Sequence, residues 1–192
     1  YVNHLSLSFR NRLTHLYSQY LYNHYVVLDL MSSWVSHLPR KIKYKKVIAH
    51  GMNQAELTAN ERVDSFWVQD LNKKQNLPLE DSSIDVGLIT AGWQYLQYPE
   101  KISKELSRVL KQDSLLIISF TNRAFWTKSP NIWINSSEGE RIEYVKSILS
   151  DDGWIIEKIF NEPTYEKKLL GFYSSESDPF FSLIARNNKY SN

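Results

Sequence analysis

The 192-residue sequence predicts an α/β domain: a doubly wound, mostly parallel seven-stranded sheet with an antiparallel last strand and helices on both faces. Three observations predict it. Seven apolar-rich segments of strand length are spread along the chain. Helical periodicity lies between several of them, and strands joined through helices run parallel in one sheet. The last two strand segments have no helical pattern between them, which places one antiparallel strand at or near an edge.

Taken in order, Phe9, Leu13, Leu16, Tyr17, Tyr20 and Leu21 recur at helical spacing. A helix at about 5–22 is therefore expected, packed on the core of a single domain covering 1–192. Strands follow at "YVVLDL" (25–30), "KVIAH" (46–50), "SFWVQD" (65–70) and "IDVGLIT" (84–90). In "PEKISKELSRVLK", Pro99 suits a first helical turn, and Ile102, Leu106, Val109 and Leu110 fall on one face. "SLLIISF" (114–120) is a continuous apolar run, as in a strand covered on both sides. Ile142, Val145, Ile148 and Leu149 mark another helix, with Gly153 as its stop. "WIIEKIF" (154–160) and "FFSLIAR" (180–186) complete the strands, and the 19 polar residues between them predict a long hairpin-like connection.

Composition narrows the function classes. The chain is 42% hydrophobic, enough for a sizeable core, and its 14% aromatics and six glycines argue against disorder or a fibrous class. With no cysteine there is no disulfide framework or thiolate metal site, and the five histidines show no paired zinc-ligand spacing. No metal is expected. The net charge is +2, and the basic run "RKIKYKK" (40–46) reads as a solvated edge, so no nucleic-acid partner is expected. No apolar run approaches the roughly 20 residues of a membrane span, and no signal-peptide pattern opens the chain. A cytoplasmic protein without membrane association is expected.

Ligands of such sheets bind beyond the carboxyl ends of the strands, near the point where strand order reverses. Asp29 ends the first strand, Asn53 and Glu56 follow the second, and Asp70 ends the third. "TAGWQYL" (90–96) and "TNRAFW" (121–126) follow the fourth and fifth. The first turn reads Met31–Ser32–Ser33, with no glycine before Gly51. A dinucleotide site needs G-x-G-x-x-G to bring backbone close to a pyrophosphate, and a P-loop needs its own glycine cradle. Both are absent.

Three segments in order, "VVLDL", "VQDLNKKQNLPLEDSSIDV" and "YPEKISKELSRVLKQDSLLIISF", resemble motifs of the class I S-adenosylmethionine-dependent methyltransferases. The resemblance is to the small, Rossmann-like methyltransferase-domain type, in a divergent branch with a glycine-poor first motif, and runs from about Tyr25 to Phe160. It implies S-adenosylmethionine as cofactor and a small-molecule acceptor. Carried over by position, Asp29 lies near the cofactor's ammonium, and the Met31–Ser32–Ser33 turn replaces the glycines. Asn53 stands where the family has an acid gripping the ribose, with Glu56 one helical turn further on. Asp70 accepts from the adenine amine, the Leu71 backbone meets the ring edge, and Ala91 frames the sulfonium. Trp93, Tyr95, Asn122, Arg123 and Trp126 are candidates for the acceptor pocket, and no catalytic base is evident.

Each of these residues also has a plainer role. Asp29 and Asp70 suit turn caps, Asn53 suits a helix N-cap, Glu56 a solvated helix face, and the aromatics an ordinary core. A non-glycine residue held left-handed in the first turn costs roughly 1–2 kcal/mol, and an amide in place of the ribose acid about 1 kcal/mol. The alternative function is accordingly a non-catalytic module on a methyltransferase fold. The missing glycines, Asn53, and "KQDS" (111–114) where Pro-Gly-Gly is usual, favour it. The two retained acids, Asp29 and Asp70, favour the enzyme.

Overall fold

Alternation of apolar side chains decides which face each strand turns to which helix. The computed structural model describes residues 5–122, 129–163, 168–169, 172–173 and 178–189. In β1 (Val26–Leu30), Val27 turns to one face and Leu28 and Leu30 to the other. The same alternation separates Val86 and Leu88 from Ile89 in β4 (Ile84–Thr90), and Ile117 from Leu116 and Ile118 in β5 (Leu110–Phe120). Two buried clusters result, one on each side of the sheet. The strand order is β3 (Ser65–Val68), β2 (Lys46–Gly51), β1, β4, β5, β9 (Phe180–Arg186), β6 (Ile155–Glu162). All neighbours pair in parallel except β9, which is antiparallel to both β5 and β6. A two-stranded ribbon of β7 (Lys168–Leu169) and β8 (Phe172–Tyr173) lies within the connection from β6 to β9.

The first face is covered by α3 (Pro99–Val109) and α5 (Glu138–Asp151). Proline at the first position opens α3, and a reciprocal capping box between Ser137 and Glu140 opens α5. Trp154, just past α5, donates its indole N–H to Ser103 on α3 at 3.1 Å inside this core. Trp133 on the short α4 (Asn131–Ile134) packs edge-on against Phe120.

The second face is covered chiefly by α1 (Leu7–Tyr20). Its buried stripe of Phe9, Leu13, Leu16 and Tyr17 joins Val27, Val47, Val86, Leu88, Ile117 and Ile184 in one cluster. Arg12 clamps the helix to the far edge of the sheet. Its guanidinium lies 5.1 and 4.9 Å from the rings of Phe160 and Phe180 and takes the Glu162 carboxylate through both Nε and Nη2.

The connection from β1 to β2, residues 31–45, contains no helix, so the crossover is a bare loop and α1 supplies the layer above it. One local expectation is corrected. The fifth strand begins at Leu110 rather than Ser114, because α3 passes straight into it and the polar residues 111–113 belong to the strand. A register shift opposite Ile84 and Val86 accommodates them. Among the described residues no helix is long and apolar enough to cross a membrane.

The strand order reverses between β1 and β4. From β1 the chain moves outward through β2 and β3, then returns to build β4 and β5 on the other side. The loops leaving β1 and β4 therefore diverge, and a crevice opens at their carboxyl ends.

Candidate functional site

That crevice is a cleft of about 270 Å³, close to the lower end of the roughly 300–1,000 Å³ typical of small-molecule sites. Its floor is made by two left-handed residues. Met31 (φ 59°) is the first residue past β1 and Ala91 (φ 51°) the first past β4, and the two strands are in register up to Leu30 and Ile89. Left-handed backbone without glycine is strained by roughly 1–3 kcal/mol each and persists where surrounding structure dictates it. Here the Ala91 N–H donates to the Ser119 carbonyl of β5 at 2.8 Å. The Met31 N–H donates to Nδ1 of His50 at 3.2 Å, and the Ser32 N–H to the His50 carbonyl at 2.6 Å.

The glycines missing from the turn stand opposite it. A Cβ on Gly51, the last residue of β2, would come within 2.7 Å of the Ser32 carbonyl. A Cβ on Gly92 would come within 2.7 Å of the Met31 Cβ and 3.0 Å of its sulfur. The usual arrangement is inverted: the turn carries side chains, and its neighbours give up theirs. Gly51 also leaves the end of β2 bare, so no carboxylate is presented there.

Asn53 takes the capping role. Its Oδ1 accepts from the backbone N–H groups of Ala55 and Glu56 at the start of α2 (Gln54–Thr58), and its Nδ2 donates to Glu56 Oε1 at 3.1 Å. Glu56 is half-buried on the cleft wall, and its carboxylate is oriented by that amide. Asp70 also lines the cleft, with Oδ1 accepting from the Asn72 N–H at 3.0 Å and Lys73 3.8 Å from Oδ2. Leu71 beside it is buried.

Asn72, which the sequence did not single out, staples two loops. Its Nδ2 donates to the Tyr95 carbonyl at 3.0 Å and its Oδ1 accepts from the Gln97 N–H at 2.9 Å. The 3-10 turn Trp93–Tyr95 is thereby fixed against the end of β3, with Tyr95 on the cleft wall. Met31, Ser32, Asn53, Glu56, Asp70, Leu71, Ala91 and Tyr95 thus converge on one cleft.

The other expected residues lie elsewhere. Trp93 is a core residue at 2% exposure, not a pocket wall, because it packs among the side chains of the first face. Ser33 turns its carbonyl to the buried Asn60 amide at 2.8 Å, and Asn122 is exposed outside the cleft wall. Arg123 and Trp126 fall outside the described residues. Asp29 sits behind the turn, its Oδ2 accepting from the Ser32 hydroxyl at 2.6 Å. Burial pushes its carboxyl up to about 6 despite that hydrogen bond. Tyr17 of α1 approaches from the same side and bonds Thr90, the last residue of β4, at 2.9 Å.

The charge of the wall is one-sided. Among the described residues, Glu56 and Asp70 line it, no lysine or arginine does, and its one histidine, His50, is held below its ordinary pKa by burial. A phosphate would meet repulsion there and a cationic ligand attraction.

Residues 12–118 match the model of a family described as "Methyltransferase domain". The chain belongs to that family. Its sheet and topology are those of class I S-adenosylmethionine-dependent methyltransferases, whose solved structures superimpose on nearly the whole chain. Among curated proteins, a "Ubiquinone/menaquinone biosynthesis C-methyltransferase UbiE" of Campylobacter jejuni is 35% identical over 106 residues, covering 53% of this chain and 41% of that protein. The chain spans less than half the length of the curated relatives it matches. Among solved structures, a SAM-dependent methyltransferase from Aquifex aeolicus superimposes with a TM-score of 0.63 at 19% identity, covering 93% of this chain and 89% of that one. The [4+2]-cyclase SpnF superimposes with a TM-score of 0.68 at 15% identity, covering 93% and 81%.

The contact between Met31 and Gly92 is testable as a pair. Gly92 has an ordinary backbone conformation (φ −115°), so alanine there meets only the Met31 side chain. We expect Gly92→Ala to destabilise the protein by about 1–3 kcal/mol through overpacking in urea denaturation. In a Met31→Gly background the same substitution is expected to be nearly neutral. Equal costs in both backgrounds would refute the contact.

Proposed function

We propose that the cleft between β1, β2, β3 and β4 holds S-adenosylmethionine and that the chain transfers its methyl group to a small acceptor. The observation that carries this reading is an acid-lined wall free of lysine and arginine among the described residues, over two strained left-handed residues at the switch point. The residues fit the cofactor's chemistry. A zwitterion bearing a sulfonium and no phosphate needs carboxylates, hydroxyls and bare backbone, not a glycine cradle.

In this reading Asp29, behind the turn, faces the ammonium once ionised, and Ser32 lies between them. Glu56, held by Asn53, takes the ribose hydroxyls that the bare end of β2 cannot reach. Asp70 accepts from the adenine amine, with the Leu71 backbone at the ring edge. Ala91 and Gly92 leave room for the sulfonium, and Tyr95 and Leu96 wall the acceptor side.

When bound, the cofactor supplies an already activated methyl group for in-line displacement, in which the acceptor's electron pair forms the new bond as the carbon–sulfur bond breaks toward sulfur. What the chain adds is alignment of the two partners and exclusion of water. No histidine or carboxylate of the described wall lies in the 91–96 turn. An acceptor that arrives already nucleophilic, such as an electron-rich ring carbon, fits that arrangement better than one needing a protein base. The C-methyltransferase named above points the same way. We further propose that α1 forms one unit with the sheet, joined through Arg12 and Glu162, and that the protein works in the cytoplasm.

The alternative of a non-catalytic module gives no reason for strain at both strand ends or for the one-signed wall. The likeness to a cyclase shows that this fold does not dictate methyl transfer, so activity must be measured.

Titration calorimetry with S-adenosylmethionine and S-adenosylhomocysteine is expected to give micromolar binding, weakened about tenfold or more by Asp70→Ala. Absence of binding at millimolar ligand would refute the cofactor reading. The role of Asp29 shows in pH. Its folded pKa is raised, so in the free protein its contribution to stability is full below about pH 4 and lost as pH rises through about 6. Ammonium binding needs the ionised form. Affinity is therefore expected to fall as pH drops below about 6, by up to about tenfold per unit. Asp29→Asn is expected to flatten that profile and to raise the melting temperature of the free protein above pH 6. An unchanged profile in the variant would exclude Asp29.

A further inference from the structure

His50 is a buried side chain of the cleft with both ring nitrogens engaged, and nothing in the family reading uses it. It lies near the end of β2 at 1% exposure, and both ring nitrogens meet backbone. Nδ1 accepts the Met31 N–H at 3.2 Å and Nε2 donates to the Gln69 carbonyl at 2.9 Å. These partners belong to different strand ends, the turn after β1 and the segment after β3, and β2 runs between them. The imidazole face packs on Trp67 of β3, with centroids 5.0 Å apart. The Met31 N–H has no strand to bind once β1 has ended. Without a partner it would be a buried, unsatisfied donor at a residue already strained.

We propose that His50 is a positioning residue of the cofactor cleft: through a lone pair on Nδ1 and a proton on Nε2 it holds the left-handed Met31 turn in register with the Gln69–Asp70 segment. In a glycine-rich turn the backbone reaches this shape unaided. Here a side chain from the neighbouring strand imposes it. The tautomer follows from the partners, because an N–H can only donate and a carbonyl only accept. Burial lowers the ring's affinity for a second proton, which keeps the acceptor in place at neutral pH. The carboxylates of the cleft wall are Glu56 on α2 and Asp70 after β3, and both ring nitrogens bond backbone instead of either.

The inference rests on the cleft being the cofactor site, and two substitutions separate the clamp's two arms. His50→Asn offers an amide oxygen near the position of Nδ1 and loses the Gln69 arm. His50→Gln offers a donor near the position of Nε2 and loses the Met31 arm. The experiment measures S-adenosylhomocysteine affinity, thermal stability, exchange of the Met31 amide, and nitrogen chemical shifts of the wild-type imidazole. In the ligand-free wild type we expect Nδ1 unprotonated and Nε2 protonated. Both variants are expected to bind more weakly than wild type, His50→Gln about tenfold to a hundredfold with faster Met31 exchange and His50→Asn by a smaller factor with Met31 exchange unchanged, the two variants having similar melting temperatures. Affinity lost equally in both variants in step with stability would overturn the proposal, leaving His50 a packing residue. So would a protonated Nδ1, or Met31 exchange unaffected by His50→Gln. If wild type binds no ligand, the cofactor reading falls, and the shifts and exchange rates still decide whether the clamp exists.

Discussion

The close approach of the β1 turn to its neighbours on both sides is the constraint on which the rest of the site depends. Met31 abuts Gly92 after β4, and the Ser32 carbonyl abuts Gly51 at the end of β2. Neither glycine can gain a side chain without moving the turn, and the turn cannot move without breaking its bonds to His50. Everything else at the switch point follows. The end of β2 is bare, and the carboxylate at that side of the cleft comes from α2, where Asn53 caps the helix and hydrogen-bonds Glu56. The Met31 side chain displaces no backbone, so β1 and β4 keep their register up to the cleft.

A second consequence is electrostatic. A turn without a following helix has no concentrated N–H dipole to attract phosphate, and residues 31–45 provide none. Among the described residues the cleft wall then supplies carboxylates and no cation. A glycine-free turn followed by a bare loop suits a cationic ligand and disfavours a nucleotide phosphate. α1 makes that loop tolerable for the fold, because it covers the hydrophobic face that a crossover helix would otherwise cover.

The fold was largely legible because strand alternation and helical spacing are local properties. Val27 against Leu28, or Ile102 with Leu106, can be placed without knowing what they touch. The strand-end acids were legible for the same reason. Other features depend on partners far along the chain. Gly92 matters because of Met31, Gly51 because of Ser32, and His50 because of Met31 and Gln69. Nothing local distinguishes a histidine that clamps two strand ends from one that fills space. Trp93 went to the core and Tyr95 to the cleft although they are two residues apart, because the 3-10 turn rotates one inward and the Asn72 staple fixes the other. The helix-free connection at 31–45 has a weak local signal in Ser32, Ser33, Ser36 and Pro39, a composition poor in helix formers.

The most direct measurement is a backbone amide NMR titration with S-adenosylhomocysteine, which locates the ligand without assuming which residue binds it. The account predicts a contiguous set of perturbed amides at Met31, Ser32, Gly51, Asp70, Leu71 and Ala91, with the α1 face undisturbed. Perturbations scattered away from the β1–β4 switch point, or none at millimolar ligand, would contradict it.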